Sequence, residues 1–207
     1  MNASIMRYFK TTFLVMMAVA LTACMSTKSF LDPSFPKISY EELQKPLQPK
    51  KLKVTAEFQR NGKHLEKVDQ SISDSTERIL RASGLAIPGS DGADGTIHVV
   101  LNNIADIGGA VGKGLGTGLT FGLAGSLVTD AYEMQVTIKV GGKTFTRTAV
   151  KHALHSAIGR AATPEGIETM PLQTAFERLF EQMLLRVLKE YRSSPDFSSL
   201  DVNRSIG

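Results

Sequence analysis

Several clusters in this 207-residue chain have residue types and spacings that could do chemistry. Lys113 sits among glycines, as in a loop that cradles phosphate. That motif needs a glycine five residues before Gly112 and Ser or Thr after the lysine; Ile107 and Gly114 stand there instead. A dinucleotide fingerprint starting at Gly112 or Gly114 meets Thr117 or Leu119 where its third glycine belongs. His152 and His155, three apart, could share a helical face as metal ligands, but no nearby cysteine or acid completes the set. His64 and His98 stand alone. Asp91 and Asp94 in SDGADG lack the alternating acids and terminal glutamate of a calcium loop, so a turn is expected. Ser126 lies in AGSL, not in G-x-S-x-G, and has no placed His and acid partners. These residues give no case for catalysis, a metal, a cofactor or a small-molecule substrate.

Cys24 is the only cysteine. Before it, Arg7 and Lys10 form a basic n-region and Thr11 to Leu21 an apolar h-region too short to span a membrane. The tetrapeptide Leu21-Thr22-Ala23-Cys24 resembles the signal motif of bacterial lipoproteins. That resemblance implies removal of residues 1–23 and lipidation of Cys24 as the first mature residue. Met25, rather than aspartate, at the second mature position implies the outer membrane of a Gram-negative cell. Several acyl chains anchor stably, whereas one would be marginal. Once Cys24 is acylated, no thiol remains to form a disulfide. Loss of Arg7 and Lys10 lowers the formal charge from +4 to +2. The remaining basic residues are scattered, which argues against nucleic-acid binding.

The stretch Ile107–Val128 carries one charge, Lys113, and eight glycines: Gly108, Gly109, Gly112, Gly114, Gly116, Gly118, Gly122 and Gly125. Glycine costs about 1 kcal/mol relative to alanine inside a helix and gives a strand nothing to pack. So many of them imply a close approach by lipid or another backbone. On a helical period, Gly108-Gly112-Gly116 and Gly114-Gly118-Gly122 make small-xxx-small rows. On a period of two, Gly112, Gly114, Gly116, Gly118 and Gly122 share one face of a strand. Both readings fit. One helix of this length would span about 33 Å, but the flanking strands of one sheet require the chain to double back. Helical arms then reach about 15 Å and strand arms roughly 33 Å. A flexible loop, or a hairpin packed on its own domain, is the plainer alternative.

Around this insert the pattern is that of a small domain. Met25 to Lys50, with Pro33, Pro36, Pro46 and Pro49, reads as an extended tether on which Phe30, Phe35 and Tyr40 could dock. Leu52–Gln59 alternates as a strand, Asn61-Gly62 turns the chain, and His64–Ser83 is an amphipathic helix stopped by Gly84. Pro88–Gly95 is a loop and Thr96–Ile104 a second strand. Tyr132–Val140 is a third strand, joined through Gly141-Gly142 to a fourth over Lys143–His152. Ala153–Glu168 reads as irregular, Pro171–Tyr191 as a second amphipathic helix, and Ser193–Gly207 as a disordered tail. The expected fold class is α+β: a mainly antiparallel sheet of about four strands, two helices on one face and a glycine-rich hairpin insert at 107–129. The domain boundaries fall at 1–23, 24–50, 51–192 and 193–207.

This order, with Cys24 and the GGAVGKGLGTG region, resembles the TraT-type outer-membrane lipoproteins known for surface exclusion and complement resistance. There too a lipidated cysteine and a strand-helix-strand unit precede a glycine- and alanine-rich membrane segment, and a C-terminal helix closes the domain. The resemblance implies a homo-oligomeric ring. Two functions follow from the sequence. One is a non-enzymatic outer-membrane lipoprotein whose glycine hairpin, through Gly108, Gly112, Gly114, Gly116, Gly118 and Gly122, enters lipid or packs against copies of itself. The other is a monomeric, periplasm-facing module that assists assembly or transport of another envelope component.

Overall fold

The computed structural model describes residues 27–104, 121–122, 125–159 and 161–195. Strands are β1 (Thr27–Leu31), β2 (Lys50–Arg60), β3 (Lys63–His64), β4 (Ala86–Pro88), β5 (Gly95–Ile104), β6 (Phe121–Gly122), β7 (Gly125–Val140) and β8 (Lys143–Ile158). Helix α1 spans Asp69–Ser83 and α2 spans Leu172–Ser193. The strands form one sheet in the order β1-β8-β7-β5-β2-β3, with β4 beside β2 and β6 beside β7.

Alternation in β5 and β7 turns Ile97, Val99, Leu101, Met134, Val136 and Ile138 to one face, each with no exposed surface. Against that face α1 presents Ile72, Ile79 and Leu80, and α2 presents Leu179, Phe180, Met183, Leu184 and Val187. Each fully buried side chain of this size contributes about 1.5–3 kcal/mol of hydrophobic stabilisation, so this single core holds the domain together. Gly84 ends α1 at φ 67, a left-handed cap whose N–H bonds the carbonyls of Leu80 and Arg81. Asn61-Gly62 (φ 51 and 75) and Gly141-Gly142 (φ 58 and 76) both take positive φ, as two-residue hairpins require.

The expectation of about four mainly antiparallel strands is wrong, although the α+β class holds. The sheet has eight strands and is mixed: β2 runs parallel to both β4 and β5. The parallel pair follows from the chain itself. After β2 and its short partner β3, α1 carries the chain back across the sheet face, so β5 can only start from the end where β2 starts. The additional strands are short or lie in stretches without clear alternation.

Three boundaries also differ from the sequence reading. Lys63–His64 pair with β2 and Glu66–Val68 form a 3-10 turn, so α1 begins at Asp69 rather than at His64. Strand β8 continues past His152 to Ile158, because a bulge places Thr148 and Ala149 opposite Gln135 and shifts the alternation by one. Ala149 sits there at φ 55. Residues 27–50, read as a tether, are docked on the domain. Strand β1 pairs with β8, Ile38 and Leu43 are buried, and Gln182 of α2 bonds both the N–H (2.7 Å) and the C=O (3.0 Å) of Ile38.

Candidate functional site

Of the residues singled out in the sequence, Cys24, Gly108, Gly112, Gly114, Gly116 and Gly118 lie outside the described residues, as do residues 1–23, read as a signal segment, and the tail beyond residue 195. Gly122 is described through its backbone. It pairs with Gly125, and Phe121 pairs with Ser126, so β6 is an antiparallel neighbour of the start of β7; residues 123–124 lie outside the described residues. The last five residues of the expected 107–129 insert are therefore the first part of β7.

The register fixes where the chain leaves the sheet edge and where it rejoins it. Ile104, the last residue of β5, faces Ala131 of β7, and Phe121 faces Ser126 on the same edge of β7. Four residues opposite Leu127–Asp130 would continue that edge, but sixteen, 105–120, join the two points. Strands β5 and β7 are hydrogen-bonded neighbours, so the chain leaves and rejoins the same sheet edge on either side of residues 105–120, which lie outside the described residues. At about 3.4 Å per residue the path from Ile104 to Phe121 measures at most roughly 58 Å, so an out-and-back excursion reaches no more than about 29 Å. A bilayer's hydrocarbon core is about 30 Å thick, and the turn itself uses part of the reach. Among the described residues, no helix is long and apolar enough to cross a membrane.

The start of β1 lies at this same end. Thr27 and Ser126 both pair with Ile158, from opposite sides of β8. Cys24 is three residues before Thr27, within about 10 Å of that row even when fully extended. The start of β1 and the β6–β7 pair thus lie at one end of the sheet. The β7–β8 turn at Gly141-Gly142 lies at the other.

Behind this end the sheet is fastened by buried polar groups. Ser29 Oγ and Ser156 Oγ lie 2.9 Å apart, both side chains buried. His155, also buried, links Thr129 Oγ1 at Nδ1 (2.8 Å) to Asp32 Oδ2 at Nε2 (3.3 Å). With Nε2–H turned to the carboxylate, Nδ1 accepts the threonine hydroxyl. Burial tends to raise the Asp32 pKa, but bonds from Ser34 and His155 outweigh it and leave the carboxyl below its ordinary value. The acid–imidazole–hydroxyl order is that of a nucleophilic triad, yet the Thr129 side chain is itself buried and cannot meet a substrate. The chain of bonds joins the residue just after β1 to β7 and β8.

His152 and His155 are three positions apart on one strand, an odd offset, so they point to opposite faces and cannot share an ion. Among the described residues no group of three potential metal ligands comes together. The ring of His152 stacks on Phe35 (4.6 Å, 24°), while Phe30 packs on His155 (5.0 Å). Burial holds the pKa of His152 below the usual histidine value, so the ring is neutral at pH 7; its Nδ1 lies 2.9 Å from the Ala153 nitrogen and 3.1 Å from the Ala153 carbonyl oxygen. His152 lines a cleft of about 460 Å³ between the chain after β1, residues 166–170 and α2. The sequence reading missed this cleft because it ended β8 at His152 and treated the residues before β2 as a tether.

No protein-family model matches the chain, and no curated protein matches it. Among solved structures it is similar to a PelC dodecamer from Paraburkholderia phytofirmans, at 11% identity over 80% of this chain and 99% of that one, with a TM-score of 0.30. It is also similar to a neuraminyllactose-binding hemagglutinin homolog from Helicobacter pylori, at 9% identity over 85% and 98%, with a TM-score of 0.38. Neither is a TraT-type protein, and likeness this loose carries no function across.

Proposed function

We propose that the chain is a non-enzymatic outer-membrane lipoprotein, held by lipidated Cys24, whose glycine-rich segment enters the near side of the same membrane or packs there against copies of itself. The observation that supports this is the shared row at Ile158, where Thr27 and Ser126 meet from either side. If Cys24 carries the anchor, that row would let the acyl chains and the glycine-rich segment address one surface without the chain turning over. The limited reach of residues 105–120 favours shallow insertion or self-association over a complete crossing. Low side-chain bulk at Gly112, Gly114, Gly116 and Gly118 then serves close backbone approach.

The test separates the segment from the acyl chains. Residues 25–207 are secreted behind an ordinary cleavable signal, so that no lipid is attached, and are then fractionated and sized in mild detergent. The reading expects residual outer-membrane association and a discrete oligomer, both lost in Gly116→Leu and Gly118→Leu. A soluble monomer indifferent to those substitutions would sink it and leave the periplasm-facing interaction module in its place.

A further inference from the structure

Leu47 is 85% exposed, on a loop that is not free to withdraw it. Before it, Leu43 is buried and the Gln44 carbonyl accepts Arg192 Nε at 2.9 Å; after it, Lys50 pairs with Ala86. Pro46 and Pro49 restrict the backbone between these points. Pro46 and Gln48 line a small cavity with Leu52, Leu80 and Leu188, and Leu47 between them is left to water. Lys45–Lys53 holds four lysines and no acid, and Lys139 lies in the row of Lys53 across β5. Those five lysines stand against Asp91, Asp94 and Glu41, a positive excess. The cleft beside β1 has the opposite character. Phe35, Ile167 and Met170 supply apolar wall, and its volume is that of a site for a small apolar group. Its charges are Asp32, Glu168 and Glu181 against Lys37 and Arg178, one negative in excess. Glu168 and Arg178 pair at 3.0 Å in the open, so that pair re-forms around an incoming lysine at small cost. The loop and the cleft cannot meet within one copy. His152 of the cleft faces Tyr132, eight residues along β7 from the Val140 row in which Leu52 lies, a separation of about 26 Å.

We propose that Leu47 of one copy seats in the cleft of a second copy, its side chain against Phe35, Ile167 and Met170 and its flanking lysines beside the excess negative charge. The contact joins two different surfaces, so every copy offers one Leu47 loop and one cleft, and association runs head to tail into a ring or an open chain. It uses neither Cys24 nor the glycine-rich segment and stands apart from the membrane reading.

The test is sedimentation of the full lipidated chain in excess detergent over a concentration series. The parent carries Gly116→Leu and Gly118→Leu, which the membrane reading expects to be monomeric when dilute. Its mass should rise with concentration. Leu47→Glu and Ile167→Lys should each weaken that association about tenfold or more, the scale of one buried leucine lost. Lys63→Glu changes the net charge more than Leu47→Glu but sits on β3, and should leave association unchanged. Leu47 is largely in water, so its variant keeps the fold. A one-to-one mixture of Leu47→Glu with Ile167→Lys gives the signature: one keeps a cleft and the other a Leu47 loop, so pairs form and nothing larger. Failure of the glycine reading would appear as association that survives dilution, whereas failure of the Leu47 contact appears as a Leu47→Glu variant that matches its parent. The proposal is overturned by that match, by a parent that stays monomeric at every concentration, or by a mixture that yields no pairs.

Discussion

Around Val136 the sheet is sealed by aliphatic side chains from two helices; around Ile158 it is fastened by serine, threonine, histidine and aspartate. The first region relies on area removed from water, which is non-directional and tolerates small shifts. The second relies on donors and acceptors that must meet, because an orphaned buried polar group costs about 1–3 kcal/mol. The helix-covered region therefore supplies most of the stability. The polar region fixes where β1, and with it Cys24, leaves the sheet.

The sharpest way to break this contrast is to strike the apolar region. Leu184→Ala should cost about 3 kcal/mol, read as a lower denaturant midpoint, by lost transfer energy plus a residual cavity. Gly95→Ala should cost as much by the opposite route, since an added Cβ would lie 2.0 Å from the Lys139 carbonyl oxygen, a backbone atom that cannot swing away. In the polar region, Thr129→Val should cost about 1–2 kcal/mol by stranding His155 Nδ1. Its signature should be local, with faster hydrogen exchange in β1 than in β5. Equal loss of protection across the sheet would erase the distinction between the two regions. At the bulge that joins them the sign reverses: Ala149→Gly should raise stability by up to about 1 kcal/mol, because glycine takes φ 55 without strain.

Acidification should weaken the polar region in two stages. Burial depresses the His152 pKa, so the unfolded chain binds that proton more readily and stability falls as pH drops below about 6.5. Asp32 and Asp69 are both burdened by burial but are held lower by their hydrogen bonds. Their contribution is present above about pH 4 and is lost as pH falls through their folded values. Exposed His64 works the other way: Asp69 raises its pKa, so its small contribution is present below about pH 6.5 and fades as pH rises through its folded value. Denaturant midpoints at pH 8, 6, 5 and 3 should show the two acid stages, and His152→Gln should flatten the first.

What could be read from the chain alone divides along the same line. The alternation of Tyr132–Val140 and the stripe Leu172, Phe176, Leu179, Met183, Leu184, Val187 and Tyr191 announce elements with one apolar face; both elements are present, with Leu172 left exposed at the start of the helix. The strand-helix-strand order around α1 also implied a parallel pair, but the sheet was read as mainly antiparallel. Strand β1 has the sequence TKSFL before a proline-containing stretch, and its place beside β8 comes from tertiary pairing, not from a period of its own. The end of β8 was hidden by the Ala149 bulge, which shifts the alternation just where polar residues replace apolar ones. For the same reason His152 and His155 looked like a pair, when the strand sends them to opposite faces. Glycines at 108–118 satisfy two periods at once, and they lie outside the described residues.

The measurement that bears most directly on the account uses the chain's single cysteine. With Cys24 acylated, one introduced cysteine is the only free thiol, so a nitroxide can be placed at Thr117 or at Lys143 in lipidated protein reconstituted into vesicles. The account predicts a label at Thr117 that is accessible to oxygen and shielded from a water-soluble nickel relaxant, and a label at Lys143 that is open to nickel. Equal, water-like accessibility at both positions would contradict the proposed membrane contact of the glycine-rich segment.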